Sequence, residues 1–103
     1  DDALALIHNF GNVYADICWL PSLSTTTAIL FLKQLLETGK ADRITWGCDS
    51  WTIIESYAAC LAGKYVVTKA LSDLITDDFM TLEDGKRLAK KIFYDNAKKM
   101  YNV

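Results

Sequence analysis

The stretch Arg43-Ile44-Thr45-Trp46-Gly47-Cys48-Asp49-Ser50 decides how the chain reads. Apolar and β-branched residues run up to Gly47, and a carboxylate follows where the run ends, so the pattern predicts a short strand over 43–49 with Asp49 at its C-terminal end. Upstream, 12–20 is also β-rich. Val13, Ala15, Ile17 and Trp19 share one parity, and Tyr14, Asp16 and Cys18 share the other. Between the two runs Pro21 stops the first strand, Ser22 or Ser24 can cap a helix, and Ala28, Ile29, Leu32, Leu35 and Leu36 recur at helical spacing until Gly39. Strand, helix and strand over about 37 residues make a βαβ unit, whose strands must run parallel with a right-handed crossover. The fold class is therefore α/β.

Outward from this unit, Ala3, Leu4, Leu6 and Ile7 suit a helix over 1–9 that Asn9-Phe10-Gly11 breaks. Beyond Ser50 the apolar stretch 53–75, with Ile54, Ala58, Leu61, Val66, Ala70, Leu71 and Leu74, predicts one or two helices interrupted near Gly63. In the last segment Thr81 caps, Glu83 and Asp84 sit in the first turn, and Leu88, Ala89, Ile92, Phe93, Ala97, Met100 and Tyr101 form one apolar stripe. Nothing divides the chain, so 1–103 is expected to be a single unit.

Composition narrows the function classes. With 51% hydrophobic residues in 103, a chain this short has more apolar surface than one small core can take up, and part of it is expected to meet another chain or segment. Eleven basic and 13 acidic residues, net charge −2, give no field for a phosphate backbone, so nucleic acid is excluded as a partner. Cys18, Cys48 and Cys60 have neither paired nor zinc-finger spacing, which suits a reducing, cytoplasmic setting. No apolar run reaches the roughly 18–20 residues of a membrane span, and Asp1-Asp2 lacks the basic flank of a signal peptide; the chain reads as soluble.

Catalytic groups of parallel α/β structures gather at the C-terminal ends of strands. Asp49 stands at one such end; if it faces inward so do Thr45 and Gly47, while Ile44, Trp46 and Cys48 face the covering helices. The competing reading is that Asp49 caps the helix that follows, since Asp-Ser before a helix is a common capping pair. The other strand end, Trp19-Leu20-Pro21-Ser22, offers pocket lining or plain packing, and with Ser50 it makes Trp19 and Ser50 the candidate substrate contacts. Asp16 is expected to be paired or hydrogen-bonded rather than catalytic. His8, the single histidine, has no second ligand at metal-binding spacing, Cys48 reads as a small apolar side chain, and Lys86, Arg87, Lys90, Lys91, Lys98 and Lys99 follow a solvent face. The turn after the first strand lacks the Gly-x-Gly-x-x-Gly pattern of a nucleotide site.

Taken in order, the segments 12–20, 43–50 and Ile92-Phe93-Tyr94-Asp95-Asn96-Ala97-Lys98-Lys99-Met100-Tyr101 resemble the end of amidohydrolase-type TIM-barrel enzymes, nearest to the branch of metal-dependent hydrolases related to uronate isomerase. The resemblance implies a C-terminal fragment of a (β/α)8 barrel, with the last two barrel strands, their covering helices and a C-terminal helix. It also implies that Asp49 is the metal-site carboxylate that takes the proton of an attacking water, with zinc or manganese held by the complete barrel and none by this chain alone, and that Asn96-Ala97 is structural. The His-x-His pair and middle-strand histidines of the family have no counterpart in 1–103. The partners implied are a small-molecule substrate and either the remainder of the barrel or a second copy. The alternative is a non-catalytic α/β module that self-associates through apolar strand faces.

Overall fold

In the computed structural model, which describes residues 2–18, 20–48 and 51–102, two short strands run parallel: β1 (Ala15–Asp16) and β2 (Ile44–Thr45), in the register Ala15 to Ile44 and Asp16 to Thr45. The parallel α/β pairing agrees with the sequence, but the ladder is far shorter than the runs 12–20 and 43–49 predict. The cause is local. The Asp16 carboxylate accepts the Cys18 backbone N–H at 2.8 Å, and Cys18 takes a φ of +21°, which turns the chain out of the strand. Ile17 still donates its N–H to Thr45 O at 3.1 Å, and beyond it β2 has no described partner to extend along.

Helices supply the rest: α1 (Asp2–Asn9), α2 (Leu20–Leu23), α3 (Thr25–Glu37), α4 (Ile53–Thr76), α5 (Leu82–Lys90) and α6 (Asn96–Tyr101), with a 3-10 turn at Ala41–Arg43 and a π turn at Lys91–Asp95. Of the two serines able to cap α3, Ser24 does so, its hydroxyl accepting the Thr27 N–H at 3.2 Å. At the other end Gly39 takes a φ of +75°, a conformation cheap only without a Cβ.

One expectation fails in the helices: α4 runs unbroken through Gly63. That glycine lies where α4 crosses Trp46: a Cβ built on it would sit 2.8 Å from the indole Nε1, so the residue allows close approach rather than a break. The last segment is one helical run, as expected, but its middle turn, Lys91–Asp95, is π-wound, a feature no apolar spacing announces.

The core lies between the strands and the helices on one side of them. Ile17 and Ile44 point into it from the strands and meet Leu32 and Leu35 of α3, Val66, Val67, Ala70 and Leu74 of α4, and Ile92 of the π turn, with Ile7 of α1 joining them. At roughly 1.5–3 kcal/mol for each fully buried aliphatic side chain, this cluster is the main term favouring the fold. Large exposed apolar side chains concentrate on helices, above all on the first half of α4, and not on the strand faces expected to be left uncovered. Ile17 and Ile44 are buried against the helices and Ala15 partly so; on the other parity Asp16 is exposed, Gly47 half-buried and Thr45 buried.

Candidate functional site at the end of β2

Two structural anchors fix β2. Asn96, buried at the start of α6, donates from Nδ2 to Ala41 O at 2.6 Å and to Ile44 O at 2.8 Å. Each such bond is worth about 1 kcal/mol net, and leaving its buried acceptor unpaired costs more. This is the structural role that the resemblance implies for Asn96. On the approach to the strand, the Arg43 guanidinium donates to Phe10 O and Val13 O, joining β2 to the segment that leads into β1.

Past Thr45 the chain alternates as its parity predicts. Trp46 turns toward the helices, meeting Gly63 of α4 and lying edge-on to Phe93, with ring centroids 5.8 Å apart and planes at 71°. Its Nε1–H is buried with no partner among the described residues. Gly47 lies on the opposite side, 3.9 Å from Asp16 Oδ2 as measured from the position a Cβ would take. Asp16 and Gly47 therefore share the face away from the helices, and the missing side chain at 47 leaves room beside the Asp16 carboxylate. Asp16 is exposed and hydrogen-bonded to the Cys18 N–H, in keeping with a structural part.

Asp49, Ser50 and Trp19, the three residues that sequence singles out for chemistry and substrate contact, lie outside the described residues. Their neighbours still bear on one question. The N-cap of α4 is Thr52, whose hydroxyl accepts the Glu55 N–H at 3.1 Å, while the Glu55 carboxylate accepts the Trp51 N–H at 3.0 Å. The capping position expected at Asp49-Ser50 is thus filled by Thr52. The signal was in the sequence, a Thr followed three residues later by Glu, and Asp-Ser just ahead of it obscured it.

Three carboxylates elsewhere are held below the ordinary range by cations beside them. Lys69 of α4 lowers Asp73, with Lys33 of α3 adding to it; Arg87 and then the Thr81 backbone lower Asp84; and Lys91 lowers Asp42. All are tied to structural partners on helices or turns. His8 stands exposed in the last turn of α1. Among the described residues no group of three or more His, Cys, Asp or Glu side chains is placed to hold a metal ion, so these residues make no metal centre by themselves. No helix among them is long and apolar enough to cross a membrane.

Against this geometry the comparison with known families is informative: the amidohydrolase family model matches residues 1–103. The chain belongs to the amidohydrolase family, a hydrolase-type family. No curated protein and no solved structure matches it.

Proposed function

We propose that residues 1–103 are the closing part of an amidohydrolase barrel, in which β1 and β2 are the last two strands and Asp49 is the metal-site carboxylate that accepts the proton of the attacking water. The observation that carries this reading is the cap of α4. Thr52 and Glu55 already cap the start of the helix, which weighs against capping as the reason for an aspartate at that strand end.

The sequence parity supports it too: Thr45, Gly47 and Asp49 share one phase of the run and Trp46 the other, so an alternating chain would give the carboxylate small neighbours. A zinc or manganese ion held by the complete barrel would supply a bound water of pKa lowered towards about 7. What this chain adds is a carboxylate to receive the proton, with Trp19 and Ser50 as the substrate contacts beside it. The substrate is a small molecule, and the nearest branch is that related to uronate isomerase. The remaining ligands come from strands outside 1–103, so the chain alone is inactive.

The test is hydrolytic turnover with added zinc or manganese, measured on this chain and on a longer protein that carries it together with upstream histidines. Activity confined to the longer protein is the expected result. Turnover by residues 1–103 alone would overturn the proposal.

A further inference from the structure

The outward side of α4 changes character along its length. Trp51 just before it and Ile54, Tyr57, Ala58, Leu61 and Tyr65 on it are exposed, Trp51 at 95%, Ile54 at 81%, Tyr57 at 68% and Leu61 at 51%. Beyond them the same side is polar: Thr68, Lys69, Ser72 and Thr76. Positions 54, 57, 58, 61 and 65 follow the spacing of a helix contact stripe. That stripe lies opposite the face with which α4 meets the core, through Ala59, Gly63, Val66, Ala70 and Leu74.

We propose that this stripe binds a second copy of the chain, α4 against α4 of the partner, antiparallel about Leu61. The interaction does not depend on the catalytic reading of Asp49. Self-complementarity selects the occupant and its direction. Pairing antiparallel about residue 61 sets Leu61 on its own counterpart, brings Glu55 opposite Lys69 of the other copy on one flank, and lays the Tyr57 ring against the other copy's Lys64 on the other flank. A parallel pair would instead turn the Glu55 flank of one copy to the Tyr57 flank of the other, at a height where no lysine faces Glu55. Lys69 also reaches Asp73 of its own helix at 3.1 Å, yet its side chain remains half exposed and open to a second carboxylate.

The area is sufficient. At about 150–250 Å2 for each fully exposed aromatic side chain, Trp51, Tyr57 and Tyr65 offer roughly 450 Å2 per copy, more than half of what each partner gives to a standard interface. Ile54, Leu61 and the flanking lysines add to it. A patch of this size matches the largest one on a typical monomer, and such patches are often functional.

Sedimentation equilibrium of the full chain gives the test. The expected result is a reversible dimer that Leu61→Glu weakens at least about tenfold by setting two carboxylates on the two-fold axis, with the helical circular dichroism unchanged. Leu30→Glu, on an exposed apolar position of α3, leaves the dimer intact. Glu55→Lys weakens association and adding Lys69→Glu restores it. As a direct measure of direction, Leu61→Cys forms a disulfide-linked dimer on mild oxidation far faster than Ser72→Cys. A chain that stays monomeric at about 100 μM, well above the Kd of a specific interface this size, overturns the proposal. So does an oligomer that survives Leu61→Glu, or a charge swap that fails to restore binding.

Discussion

Gly63 of α4 and Gly85 of α5 answer differently to the same change. A Cβ at Gly63 would come within 2.9 Å of Nε1 and Cε2 of the Trp46 indole, a rigid ring already wedged against Phe93. The cost of forcing them apart, about 1–3 kcal/mol, exceeds the roughly 1 kcal/mol that alanine gains over glycine in a helix. At Gly85 the nearest atom is Ile75 Cδ1, at 2.8 Å, the far end of a flexible side chain that can rotate away. Urea denaturation should therefore find Gly63→Ala destabilised and Gly85→Ala unchanged or more stable; equal losses at both sites would contradict this account of α4 packing. From sequence, Gly63 reads as a helix break because glycine is a weak helix former. Its packing role depends on Trp46, a residue 17 positions away that spacing rules cannot bring to it.

The elements show which local signals survive tertiary context. The start of α5 was fully legible: Thr81 accepts the Asp84 N–H at 3.2 Å, and the Asp84 carboxylate accepts the Thr81 N–H in return. Thr81→Ala should cost about 1 kcal/mol in chemical denaturation. Because Arg87, and then Thr81, hold the Asp84 carboxyl below its ordinary value of 3.8, its contribution is present above that value and lost as the pH falls through the depressed one. Asp73, held down by Lys69 and Lys33 between α3 and α4, acts in the same direction. Acid titration of wild type and Arg87→Ala should show a smaller pH dependence below 3.8 in the variant; identical slopes would count against the Arg87 guanidinium as its main source. The strands were legible in place and direction but not in length. Nothing in 12–20 showed that Asp16 would turn its carboxylate onto the next backbone N–H but one and end the ladder there. The π turn at Lys91–Asp95 was equally hidden, since the apolar stripe of 88–101 fits an ordinary helix.

At the scale of the whole molecule, the described residues pack as a chain of this length should: their radius of gyration is 13.2 Å, against about 13 Å for a globular chain of 100 residues. The excess of apolar residues does not go to open strand faces, as the pattern suggested, but to the outward side of α4, because the two-residue strands are covered by helices on their apolar side. The amidohydrolase resemblance rested on three segments in order, and the family match over residues 1–103 bears out that much of it. The strand was readable within 43–49, although it ends already at Thr45, and Asp49 beyond it lies outside the described residues. What the sequence could not separate was an aspartate that caps from one that does chemistry, since both are found just before a helix. The Thr52–Glu55 cap bears on that choice, and Asp49→Asn in a longer, active protein puts it to the test. The account predicts that metal-dependent turnover is lost while the denaturation midpoint stays within error of wild type. Turnover retained, with stability lowered by about 1 kcal/mol, would contradict it and return Asp49 to a capping role.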